Sequence, residues 1–172
     1  MKNIFLFFIL VFVFQVVWTL LEITMNWNML LKPLYDLSIQ LNVHSVSWTL
    51  QNMFNIPAYP QHDIIRLNGT SLQIIQTCEG LKQQFLFLFI ITLFPGKQIH
   101  KLWFIPLGLI EIMIVNILRF ISLCITLLYY PGMFVVMHDY VFYFIFYINI
   151  FFLWAVWEYN FAKGKIKEES VH

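Results

Sequence analysis

Thr77-Cys78-Glu79-Gly80-Leu81-Lys82-Gln83-Gln84-Phe85-Leu86-Phe87-Leu88-Phe89-Ile90-Ile91-Thr92-Leu93-Phe94 is the stretch where the chain changes character. Before it lies a long polar segment. From Phe85 the side chains are almost all apolar, until Pro95-Gly96 supplies a helix stop. A run of this kind belongs in lipid, and the cysteine stands where the chain enters it.

The whole composition agrees. Of 172 residues, 60% are hydrophobic and 11% charged, with a mean hydropathy of +0.76, against about 45–50% apolar and about 25% charged for a soluble domain. These values describe an integral membrane protein, expected here as one domain over residues 1–172. A net charge of +1 leaves no basic patch for phosphates, so no nucleic-acid partner is expected. The two cysteines, Cys78 and Cys124, have neither CxxC nor zinc-ligand spacing, and the five histidines form no HExxH pair. Glycine-rich phosphate loops are absent as well. No metal site and no cofactor are expected.

Upstream, Ile4 to Leu21 is a nearly unbroken apolar run. Eighteen helical residues cover about 27 Å, close to the ~30 Å hydrocarbon core. Lys2 gives it the look of a signal peptide, but no small-residue cleavage site follows, so it is expected to remain as a first span. Residues 22–77 are more polar. Leu34 to Phe54 carries Leu34, Leu37, Leu41, Trp48, Leu50 and Phe54 at helical spacing among polar residues, which predicts an amphipathic interfacial helix. After Pro57 and Pro60, Ile64–Leu67 and Ser71–Ile75 flank Asn68-Gly69, a dipeptide that favours a type I′ hairpin turn. Asn68-Gly69-Thr70 also has the form of a glycosylation acceptor, but the hairpin accounts for it. Downstream of the opening stretch, Trp103–Tyr130 and Tyr140–Trp157 are expected as third and fourth spans. The fold class is therefore an all-α polytopic membrane protein with about four transmembrane helices, an amphipathic helix and a small β-hairpin.

Four spans with the N-terminus inside place Lys2, Lys97, Lys101, Lys163, Lys165 and Lys167 in the cytoplasm, and Lys32, Arg66 and Lys82 outside. That excess satisfies the positive-inside rule and makes segment 22–77 extracytoplasmic. In this topology Cys78 heads the second span and His138 heads the fourth. Arg119 lies sixteen residues along from Trp103, about 24 Å, in the outer third of the membrane and within snorkelling reach of the same level. Asn116 shares its helix face, and Cys124 points roughly 140° away.

Each of these has an ordinary explanation. Cys124 fits a small buried hydrophobe, and a histidine at a helix end can be interfacial decoration. Arg119 is harder to explain structurally, since an arginine inside a span costs about 2.5–3.5 kcal/mol on insertion scales. Glu111 lies about 12 Å deeper on the same helix, too far for a direct pair. Together Cys78, Arg119 and His138 support nucleophilic acyl transfer. A helix N-terminus and a nearby cation favour a thiolate, histidine moves the proton, and arginine's fork of donors stabilises an oxyanion.

Cys78-Glu79-Gly80-Leu81-Lys82, Asn116-Ile117-Leu118-Arg119 and His138-Asp139, in that order, resemble the exosortase/archaeosortase family in its C-x-G-[LI]-[RKN] box, N-x-x-R box and later histidine. The resemblance covers roughly residues 30–157. Glu79 and Lys82 stand where serine and arginine are commoner, and only four spans are clear. The resemblance implies a cysteine transpeptidase or protease, multi-pass in the bacterial plasma (inner) membrane with its site facing outside. Its partners would be the bilayer and exported proteins bearing a C-terminal sorting signal of motif, helix and basic cluster. Cys78 is implied as nucleophile, Arg119 as oxyanion or thiolate stabiliser, His138 as acid/base, and Asn116 as a substrate-binding residue. The alternatives are a non-catalytic membrane assembly subunit with a structural arginine, and a small transporter, against which the lack of paired intramembrane acids counts.

Overall fold

The computed structural model describes residues 2–24, 27–75 and 80–162. The helices are α1 (Lys2–Thr24), α2 (Trp27–Leu30), α3 (Lys32–Met53), α4 (Leu81–Leu93), α5 (Gln98–Tyr129), α6 (Phe134–Val136) and α7 (Phe142–Trp157). Between α6 and α7 a π-helical turn, Met137–Val141, continues the helical path, and a second, Glu158–Ala162, follows α7. Three strands, β1 (Ala58–Gln61), β2 (Ile64–Leu67) and β3 (Thr70–Gln73), form an antiparallel sheet in the order β1-β2-β3.

Among the described residues, three helical stretches are long and apolar enough to cross a bilayer: Asn3–Ile23, Gln98–Tyr129 and Pro131–Phe161. The protein is thus a mostly helical membrane protein. α5, at 32 residues, is about 48 Å long and exceeds the ~30 Å core, so it must tilt or project beyond it. The last stretch starts earlier than the predicted Tyr140, because Pro131 opens a 3-10 turn that leads straight into α6. α4 is the exception. Its 13 residues reach only about 20 Å, short of the core thickness.

The expected hairpin is present and has a third strand. Leu67 pairs with Thr70 across Asn68-Gly69. Gly69 sits at φ 79°, whereas Asn68 is not among the non-glycine residues at positive φ, so the turn lacks the first left-handed residue of type I′. β1 contains Pro60, which the sequence presents only as a helix breaker. At the edge of a sheet a proline is tolerated, because no partner needs its missing N–H.

By contacts the chain divides into two compact units, one of Met1–Leu31, Lys82–Glu111 and Ile148–His172, the other of Lys32–Leu81 and Ile112–Tyr147. The first unit is packed largely by rings: Phe7 on Trp154 (4.7 Å between centroids), Trp18 on Phe85, and Phe104 on Trp157. Gly108 permits this density, since a Cβ there would overlap the Phe87 ring. Its polar groups tie off chain ends. Lys101 Nζ donates to the carbonyls of Thr92 (2.7 Å) and Phe94 (2.8 Å), capping the C-terminus of α4. Trp157 Nε1 donates to the Pro95 carbonyl at 3.0 Å.

The second unit has an aliphatic core. Ile39, Val43, Val46 and Leu50 of α3, spaced four, three and four, pack with Ile65, Leu67 and Leu72 of the sheet and with Phe120 and Leu123 of α5. Of the stripe expected from the sequence, Leu50 is in this core, whereas Leu34, Leu37, Leu41 and Trp48 lie on the exposed side of α3, and Phe54, just past its end, is exposed too. The helix carries two apolar stripes, and the β-branched one fits the pleated face of the sheet.

Candidate functional site

Gly80 is the first described residue after Ile75, and it locates the site. Its φ of 88° lies in the left-handed region that glycine adopts without penalty. A Cβ on it would come 3.0 Å from Cγ of Asn116. The third residue of the Cys78-to-Lys82 box therefore packs directly against the first residue of the Asn116-to-Arg119 box. Cys78 itself, with Gln76, Thr77 and Glu79, lies outside the described residues, as do Lys163, Lys165 and Lys167.

Asn116 is 1% exposed and donates through Nδ2 to Oδ1 of Asn42, itself 2% exposed, at 3.2 Å. Asn42 in turn donates to the Ser38 carbonyl at 2.9 Å. Buried amides need such partners, because leaving one unmade costs about 1–3 kcal/mol. α3 thus supplies a side chain to the site. Asn42 was legible in the sequence only as one polar residue among several; its place beside Val43 and Val46 on the core stripe is what distinguishes it.

Arg119, three residues along α5, is 7% exposed. Its guanidinium carbon lies 5.6 Å from the ring centroids of both Phe120 and Phe146. Aromatic faces attract a cation through their quadrupole, which offsets part of its desolvation. Glu111, considered above as a counter-charge, accepts from Asn149 Nδ2 at 2.8 Å within the first unit. Asn149 went unnoticed because a single asparagine in an apolar run has no signal until its partner is known. Cys124 is a fully buried free cysteine.

His138 falls within the π-turn Met137–Val141, inside the long apolar stretch that begins at Pro131 rather than at its head. Its ring stacks on Phe134 (centroids 5.8 Å apart, 17° between planes), and Nδ1 lies 2.5 Å from Oδ1 of Asp139. π-turns widen the helix by one residue and are frequent at functional sites.

An open cleft of about 400 Å³ in the second unit is lined by Asp36, Ile39, Gln40, His62, Asp63, Ile74 and Ile75. His62 holds the left-handed φ of 52° there, and Ile75 precedes Cys78 by three residues. Among the described residues, no group of three or more His, Cys, Asp or Glu side chains is placed to hold a metal ion.

The profile of the family described as transmembrane exosortase (Exosortase_EpsH) matches residues 6–155. The chain belongs to this family. The match takes in all three boxes, α5, the sheet and α7 as far as residue 155. No curated protein and no solved structure matches the chain.

Proposed function

We propose that this transmembrane exosortase is a cysteine transpeptidase or peptidase that cleaves a C-terminal sorting signal of exported proteins at the extracytoplasmic face. The observation that carries the proposal is the contact of Gly80 with Asn116. It joins the cysteine box, at the glycine two residues along the chain from Cys78, to the helix face that carries Arg119.

In this mechanism the Cys78 sulfur attacks the scissile carbonyl carbon and its proton passes to His138. Arg119 stabilises the oxyanion of the tetrahedral intermediate, a task for which a low-dielectric, aromatic-walled position strengthens its donors. The carbon–nitrogen bond breaks as His138 returns the proton to the departing amine, leaving a thioester on Cys78. Water or an acceptor nucleophile then resolves it. Asn116 contributes to substrate binding, and the cleft beside Ile74 and Ile75 has the size of a ligand site. α4 acts as the second of four spans in a single membrane domain, with the N-terminus, residues 97–101 and the C-terminal tail cytoplasmic, in the bacterial plasma membrane. The lysine distribution supports that orientation.

The test is to trap the thioester. Wild-type protein incubated with a sorting-signal substrate is expected to accumulate a hydroxylamine-sensitive adduct on Cys78. Cys78→Ala is expected to form none and to abolish processing, while Cys124→Ala processes normally. Processing that survives Cys78→Ala removes the cysteine mechanism. A second reading has one specific observation in its favour: the seating of Arg119 against Phe120 and Phe146 also suits a structural arginine in a non-catalytic assembly subunit.

A further inference from the structure

We propose that Asp139 is a positioning residue for His138: its carboxylate keeps the imidazole proton on Nδ1 and leaves Nε2 to exchange a proton with the reacting groups. The inference rests on the acid/base role proposed above for His138.

Adjacent side chains on a helix normally diverge and do not face each other. Here they meet, with Nδ1 and Oδ1 2.5 Å apart, inside a π-turn. An ionised carboxylate only accepts hydrogen bonds, so the nitrogen facing it must be the one that carries hydrogen. The neutral ring then has Nε2 as its acceptor. The Phe134 ring, stacked at 17° and packed against the buried core, fixes the plane of the imidazole, and Asp139 fixes which edge faces which way. Exposure separates the partners, since the imidazole is 28% exposed and the carboxylate 54%. The aspartate is thus on the wetter side of the pair, and the imidazole edge that bears Nδ1 is the one facing it.

In the reaction this arrangement has a defined use. Nε2 takes the thiol proton as sulfur bonds to the carbonyl carbon, while Nδ1–H stays bonded to Asp139 and the carboxylate offsets the imidazolium charge. When the carbon–nitrogen bond breaks, Nε2–H delivers that same proton to the leaving amine, and the imidazole is neutral again. An ordinary exposed ion pair would do none of this and would add little to stability.

The experiment compares wild type, Asp139→Asn and Asp139→Glu, each ¹⁵N-labelled at histidine in lipid nanodiscs. Neutral His138 of the wild type is expected to carry its proton on Nδ1. In Asp139→Asn the carboxamide donates to Nδ1, so the proton is expected on Nε2 and the two nitrogen shifts exchange. With that switch, kcat for cleavage is expected to fall roughly 10- to 100-fold at unchanged KM, and Asp139→Glu to recover part of it. The loss is smaller than the ~10⁴ for the buried aspartate of a serine-protease triad, because this carboxylate is half exposed. An unchanged tautomer in Asp139→Asn, or a switched tautomer with unimpaired cleavage, overturns the proposal. Cleavage by Cys78→Ala is a separate result that strikes the cysteine mechanism, while the tautomer at His138 is read without turnover.

Discussion

The two compact units treat their polar residues in opposite ways. In the first, Lys101 and Trp157 are spent on the carbonyls at the end of α4 and just beyond it, and Glu111 and Asn149 satisfy one another. In the second, buried Asn116 lies against the glycine of the cysteine box and donates to buried Asn42, and Arg119 is buried three residues further along α5. Both sets carry a desolvation cost. In the first unit that cost secures helix ends within an aromatic packing, and in the second it collects hydrogen-bonding groups at one place. The lesson is that a polar residue in an apolar helix identifies a site only after its partner is known.

The largest effect that sharpens this contrast is expected at Arg119. Arg119→Lys keeps the charge but loses the planar fork, and one preorganised donor is worth about 10²–10³ in rate. Membrane abundance should stay normal while cleavage of a tagged substrate slows by that factor. Near-normal cleavage would place Arg119 with the structural polar residues and dissolve the distinction between the units.

Next comes Gly108→Val. Its side chain would collide with Phe87, and overpacking of this kind typically costs about 1–3 kcal/mol. The expected outcome is a lowered thermal midpoint in detergent, with catalysis per folded molecule retained. A selective loss of turnover would mean that the first unit takes part in the chemistry.

Lys101→Met tests the capping assignment. Hydrogen bonds to charged groups contribute about 1.5–3 kcal/mol each, but the buried ammonium also loses its desolvation cost on replacement. A net destabilisation of about 1 kcal/mol is expected, read as faster hydrogen exchange in the last turn of α4. Unaltered exchange there would show that the two carbonyls need no cap.

The smallest effect lies on the sheet. The Gln73 side-chain amide, 2.7 Å from Asp63, holds that carboxyl below its ordinary value of 3.8. A depressed folded-state value means that the contribution is present above the ordinary range and lost as pH falls through the lowered one. Carboxyl ¹³C titration of Gln73→Leu should move Asp63 back up toward 3.8. Because the group is exposed, little change in overall stability is expected, and a large one would show that the sheet rim is more tightly coupled to the core than its solvation suggests.

Much of the architecture was decided by hydropathy and punctuation alone. Apolar runs, Pro95-Gly96 and Pro131-Gly132 as breaks, and Asn68-Gly69 between two β-rich stretches point to about four apolar helices and a hairpin, because these are local properties of the chain; three of the helical stretches prove long enough to cross a bilayer. The three boxes were likewise legible as residues in order, and all three fall within the family match over residues 6–155. What only tertiary structure decided is which faces meet. α3 offers two apolar stripes, and nothing local says that the β-branched one packs inward and carries Asn42 to Asn116. β1 reads as a helix breaker until β2 pairs with it. Nothing in the sequence gives Lys101 a partner, and the fold brings the carbonyls of Thr92 and Phe94 within reach of its ammonium. His138 and Asp139 are neighbours in any conformation, yet only the π-turn makes their side chains face each other. Pairing across distance depends on the free energy of packing and of satisfied hydrogen bonds, summed over residues far apart in sequence, and no window of the chain contains both partners.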